Sequence, residues 1–137
     1  MSPSEIEAFV RSQKVGRIGC HVDGETYVVP VIFGWAGEYV YVYTTEGKKV
    51  DMMRVNQRVC FEVDEYLSSG NWQSVIAQGT YEELRGEDAT RALQIITEHV
   101  TSNREGSSAR PRGEGRTPVA FRIRTHAVTG RKVELAS

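Results

Sequence analysis

Tyr39-Val40-Tyr41-Val42-Tyr43-Thr44-Thr45-Glu46-Gly47-Lys48-Lys49 is the stretch on which the fold turns. Its first half alternates with period two, the pattern of a strand with two distinct faces. Its second half breaks that period at Glu46-Gly47 and opens a helix-like run, Val50-Asp51-Met52-Met53-Arg54-Val55. A strand that passes directly into a short helix crosses from one part of a sheet to another. Lys48 and Lys49 then fall in the first helical turn, where the macrodipole is already positive. Taken alone, the pair is either a solvated, charged helix start or an anion cradle. In the second case the free N–H groups, the two ammonium groups and the Thr44 and Thr45 hydroxyls hold a phosphate.

Outward from this stretch the chain reads as mainly β. Ser2-Pro3-Ser4-Glu5 predicts a capped helix start, with Ser2 as N-cap and Glu5 closing a capping box, and Gly16 as the end of the segment. Arg17–Val22 and Thr26–Trp35 read as strands joined by a tight Asp23-Gly24 turn. Arg58–Asp64 alternates through Val59, Phe61 and Val63, and Trp72–Leu84 is long enough that Gly79 marks a bulge or corner. Asp88–Val100 predicts a helix, Thr101–Thr117 a loop or lid, and Val119–Val128 the last strand before a short tail. Strands joined by short turns, with helices only at crossovers, predict a closed antiparallel barrel. Pro30 has no N–H for a ladder, so it fits a bulge or an opening in that barrel.

The totals narrow the function. At 137 residues the chain is a single domain, residues 1–137, that buries roughly two-thirds of its unfolded surface. A net charge of -1 gives no support to a nucleic-acid-binding surface, and no run is long and apolar enough to span a membrane. The two cysteines, Cys20 and Cys60, lie in apolar strand-like runs outside any CxxC pair, and the three histidines, His21, His99 and His126, are scattered. Unpaired thiols, no metal site and a cytoplasmic location are expected.

Five segments carry a family resemblance in order: Val15–Gly19, Tyr27–Phe33, Tyr41–Lys49, Asn56–Val63 and Trp72–Gly79. Together they resemble the flavin-binding split β-barrel family, whose namesake is pyridoxamine 5′-phosphate oxidase, and within it the nitroimidazole-resistance or nitroreductase-like branch. The resemblance implies a six-stranded antiparallel split barrel with short helices, and a homodimer with FMN in clefts at the subunit interface. It implies that Lys48 and Lys49 grip the flavin phosphate and that Tyr43 and Thr44 line its path. It also implies that Pro30, Val31, Ile32 and Phe33 run beside the isoalloxazine ring, with Ser74 and Trp72 contributing from a neighbouring strand. Relatives with F420 or haem in place of FMN are the alternatives. The implied activity is flavin-dependent oxidation and reduction of a small acceptor, a nitro compound or quinone, with a non-catalytic flavin-binding module as the other reading.

The chain departs from the vitamin B6 oxidases. It has no arginine between Arg17 and Arg54, and Phe121-Arg122-Ile123-Arg124-Thr125-His126 does not reproduce their C-terminal Arg/His cluster. No catalytic acid, base or nucleophile stands out; Tyr43, His21 and His126 qualify by residue type alone. Tyr27, Trp35, Tyr39, Tyr41, Tyr66, Trp72 and Tyr81 exceed what one small barrel needs inside, which predicts an interface.

Overall fold

Successive side chains of a strand point to opposite faces, so every strand has an inner and an outer face, and a ring is the arrangement that buries the inner face of all of them. The computed structural model describes residues 1–102 and 116–135. Its elements are α1 (Pro3–Arg11), β1 (Val15–Val22), β2 (Glu25–Ala36), β3 (Tyr39–Thr45), α2 (Lys48–Val55), β4 (Arg58–Tyr66), β5 (Trp72–Leu84), α3 (Glu87–Ser102) and β6 (Pro118–Val133). The six strands close in the order β1-β2-β3-β6-β5-β4, each neighbouring pair antiparallel.

Inside the ring, Ile18, Phe33, Val40, Val42, Phe61, Val63, Val75, Phe121 and Ile123 form one core. Phe33 and Phe61 meet edge to face at 4.8 Å, a geometry that adds to the area they bury. α2 contributes Val50, Met52 and Met53 to the same core, with Met52 Sδ 4.0 Å from Cys20 Sγ. α3 lies outside the ring, over β2 and β3, and builds a second cluster from Ala92, Ile96 and Val100 against Tyr41, Leu84 and Ala120.

The N-terminal expectation holds in detail: Ser2 accepts from the Glu5 N–H, and Glu5 accepts from the Ser2 N–H. The helix stops at Arg11, however, and Gly16 lies within β1, where the Phe61 ring covers it at a distance no Cβ would tolerate. Asp23 and Gly24 both take positive φ, 51° and 81°, as a tight hairpin turn requires. The bulge predicted at Gly79 sits opposite it. Gln78 pairs with Ala127 and Gly79 with Thr125, leaving His126 of β6 as the extra residue.

β6 does not end at Val128. It pairs with β5 as far as Val133↔Trp72, because β5 is long enough to template it. Thr101 and Ser102 extend α3, and the rest of the predicted loop, 103–115, lies outside the described residues. Trp35, Tyr41 and Tyr81 are buried in the cores, so they leave the set of aromatics available to an interface. Cys20 is buried and Cys60 half-buried, both unpaired. No helix among the described residues is long and apolar enough to cross a membrane.

His99 ties α3 to the barrel. The Trp35 N–H donates to its Nδ1 at 3.3 Å, so Nε2 carries the proton and donates to the Gln13 carbonyl at 2.6 Å. Burial holds the imidazole below its ordinary value of 6.5, which the Gln13 bond opposes and Arg11 reinforces. The folded chain therefore takes up a proton at lower pH than the unfolded chain, and stability present above 6.5 is lost as pH falls below it. His99→Gln should flatten the fall of the urea midpoint below that pH.

Gly34 tests the other half of the clamp. A Cβ there would stand 2.8 Å from the Ile96 Cα of α3. Backbone cannot step aside as a side chain can, so Gly34→Ala should cost about 2 kcal/mol in urea unfolding.

Candidate functional site

The ring is closed, yet two of its strands share only half their length. β2 pairs with β1 from Glu25 to Ile32, but with β3 only from Phe33↔Val42 to Ala36↔Tyr39. β3 stays on β6 as far as Thr45↔Pro118. Beyond Phe33 and Val42 the two strands part, and a wedge opens between them.

The phase of the ladders shows which groups line the wedge. The Phe33 N–H bonds the Lys14 carbonyl at 3.2 Å, so Val31 and Val29 also face β1 while Ile32, Pro30 and Val28 turn the other way. Glu46 N–H bonds the Thr117 carbonyl at 2.8 Å, so Thr44 faces β6 while Tyr43 and Thr45 turn towards the wedge. Ile32, Tyr43 and Thr45 thus present backbone donors and acceptors with no ladder partner on that side among the described residues. Pro30 presents a carbonyl and no donor. The β1–β2 ladder runs through Arg17↔Pro30 without a register shift, so Pro30 marks an opening and not a bulge.

α2 begins at the mouth of the wedge. Its N-cap, Gly47, is extended (φ 172°) and makes no side-chain cap, so the first-turn N–H groups lack a capping acceptor. Lys48 reaches back to β2: its Nζ lies 2.5 Å from Glu25 Oε2 and 4.9 Å from the centre of the Tyr27 ring. The bond to Glu25 raises the Lys48 pKa. Both partners are about half exposed, so this pair is a weak tether that an incoming anion can displace.

Lys49 is different. It is half-buried and has no carboxylate partner among the described residues. Burial, and then the charge of Arg116, push its pKa down. An uncapped helix start, a half-buried ammonium and a second cation together make a site short of negative charge. Sequence reasoning missed Arg116, Glu25 and Tyr27, because only the ring brings them to the start of α2.

The remaining predicted residues divide. Val31 and Phe33 point into the core and can offer backbone alone, whereas Pro30 and Ile32 stand on the exposed outer face. Thr44 is buried, directed into the barrel. Tyr43 turns outward against α3 and lines a separate cavity of about 360 Å³ with Glu46, Arg54 and Glu83. There Arg54 bonds both carboxylates and holds Glu83 down to about 2. Trp72 and Ser74 lie on β5, three places round the ring from β2, paired with Tyr66 and Asp64. One chain does not place them beside the lysines. His21 and His126 are also outside the wedge, on the outer faces of β1 and β6.

Among the described residues no helix covers the outer face of β1, β4, β5 and the first half of β2, where Val15, Val28, Ile32 and Ile76 are exposed. Within it, Arg17 Nη1 lies 3.3 Å from Glu62 and 3.0 Å from Asp64. Burial, then Asp64, push Glu62 up to about 7.

Comparison with known proteins places this architecture. Residues 2–132 match the family model described as pyridoxamine 5′-phosphate oxidase. The structure of an FAD-binding protein from Mesorhizobium loti superposes with a TM-score of 0.77 at 30% identity, covering 98% of this chain and 96% of that one. A proposed 5-nitroimidazole antibiotic resistance protein from Bacteroides thetaiotaomicron superposes with a TM-score of 0.76 at 23% identity, over 94% of this chain and 82% of that one. An uncharacterized Rhizobium meliloti protein is 33% identical over 84 residues, which is 61% of this chain and 56% of that protein.

If Lys49 is held at a cost to the folded chain, removing its charge should help stability. Lys49→Met should raise the stability of the ligand-free protein by about 0.5–1 kcal/mol, while Lys48→Met leaves it unchanged. Urea midpoints of the two variants check this.

Proposed function

This chain belongs to the pyridoxamine 5′-phosphate oxidase-like family, and we propose that it binds a flavin, FMN, in the wedge between β2 and β3. The observation that carries the proposal is the half-buried Lys49 beside Arg116 at an uncapped helix start. A phosphate monoester supplies the missing negative charge: Lys49, Arg116 and the first-turn N–H groups of α2 bind it, and Lys48 joins by releasing Glu25. Stacked on the outer surface at Pro30 and Ile32, a flat ring lies beside the unpaired backbone groups of Ile32, Tyr43 and Thr45. Those groups orient its polar edge and tune it.

We propose further that the active unit is a homodimer. A second copy, docked on the exposed Val15, Val28, Ile32 and Ile76 face, brings its Trp72 and Ser74 to the ring that the first copy's own β5 cannot reach. That contact also keeps water from the apolar side of the ring.

Bound there, the flavin supplies two-electron transfer to a small acceptor such as a nitro compound or a quinone. The protein's share is binding and orientation. The lips of the wedge carry backbone groups, and no acid, base or nucleophile among the described residues turns into it. The same observation favours one second reading, a flavin-binding module without turnover. Timing reoxidation of the nicotinamide-reduced protein by added acceptors separates the two.

The spectrum and mass of the cofactor released from purified protein decide between FMN, FAD, F420 and haem. Lys48→Ala combined with Lys49→Ala should retain native circular dichroism and lose the bound flavin. Stoichiometric flavin in that double variant would sink the assignment.

A further inference from the structure

One charged cluster lies inside the exposed apolar face and takes no part in the wedge. Pro30, Arg17, Glu62 and Ile76 stand opposite one another in a row across β2, β1, β4 and β5. All four point outward, with Val15, Val28 and Ile32 around the β1–β2 end of the row. Asp64 follows Glu62 on the same face of β4. Arg17 Nη1 lies 3.3 Å from Glu62 Oε1 and 3.0 Å from Asp64 Oδ2, so one guanidinium nitrogen serves two carboxylates.

Glu62 is the most covered of the three. Its side chain is 27% exposed, against 43% for Asp64 and 46% for Arg17. Burial, and then the Asp64 carboxylate, push it up to about 7 against the pull of Arg17. Arg17 is the only cation paired with either carboxylate among the described residues. On β5 Glu62 faces Ile76, flanked by Ser74 and Gln78. On β1 Arg17 is flanked by Val15 and Gly19, and on β4 Cys60 precedes Glu62. Arg131 stands one strand further off, on β6 opposite Ser74, while Arg58, His21 and His126 lie beyond Cys60 towards the other end of the face.

A second copy seated on this face removes water from the row. One cation against two anions then leaves a negative charge in excess, and a charge buried without a partner is strongly unfavourable. We propose that Glu62 takes up a proton when two copies associate, so that assembly of the dimer, and completion of the flavin site by the partner's side chains, is linked to pH. The proton comes from solvent, forms the Glu62 carboxyl O–H and is donated to the Asp64 carboxylate, which Arg17 continues to hold. This rests on the homodimer reading and not on the identity of the cofactor. Glu62 binds its proton more tightly in the dimer than in the monomer. Association is therefore strongest below about 7, where both forms are protonated, and weakens as pH rises through that value and above it.

Sedimentation velocity of fluorophore-labelled full-length protein, from nanomolar to micromolar, gives the association constant at each pH. Where the dimer does not dissociate in that range, the rate of subunit exchange between differently labelled pools replaces it. Each dimer holds two copies of Glu62, so the association constant should fall about tenfold or more between pH 6 and pH 8, or exchange should accelerate by as much. Glu62→Gln, an uncharged isostere of the protonated acid, should flatten that dependence and dimerise at the higher pH about as well as the unchanged protein does at the lower. Asp64→Asn should flatten it by the opposite route, leaving Glu62 ionised on Arg17 in both forms. Circular dichroism shows that each variant is folded, and either one alone decides. A dimer whose affinity is level with pH, or rises with it, would overturn the proton linkage and leave the homodimer standing. A monomer at every pH would overturn both. A slope that survives in Glu62→Gln would assign the proton to His21 or His126 and overturn the role of Glu62.

Discussion

The parting of β2 and β3 beyond Phe33↔Val42 is the constraint on which the rest depends. A barrel removes sheet edges by pairing every strand on both sides, and here two strands keep an edge open inside a closed ring. Pro30 makes the opening tolerable on one lip, because it has no donor to leave unsatisfied there. On the other lip β3 runs on into α2, and burial of Val50, Met52 and Met53 pins that helix across the end of the barrel. The open lips and the positive helix start are thus consequences of a single crossover.

Charge distribution follows the same logic. Most cations among the described residues are matched, such as Arg54 by Glu46 and Glu83, Arg122 and Arg124 by Glu82, and Arg17 by Glu62 and Asp64. Such exposed pairs contribute little to stability, but they make the exceptions informative. Lys49 and Arg116 stand unmatched beside an uncapped helix start, where the fold also opens the wedge. Fold and charge coincide at the wedge.

Much of this was legible in the sequence. Alternation along Tyr39–Tyr43 and Val59–Val63, the capped start at Ser2 and the turn at Asp23-Gly24 depend on neighbours in the chain, and each was read correctly. That Lys48 and Lys49 fall in the first turn of a helix was legible for the same reason, since a helix start is a local event. What escaped depends on registers between distant strands. Glu25, Tyr27 and Arg116 meet the start of α2 only through ring closure. Trp72 and Ser74 were grouped with the lysines, but strand order sets them across the barrel. The end of β6 was misplaced because β5, rather than the local pattern, decides where it stops, and the bulge lies on His126 because register is a property of a pair.

Amide hydrogen exchange with and without FMN addresses the wedge most directly. If the flavin lies there with its phosphate on α2, adding FMN should slow exchange at Ile32, Tyr43, Thr45 and the first-turn amides Lys48, Lys49 and Val50. Protection that spared those amides and appeared instead across Gly19, Cys60 and Ala127 would contradict the account.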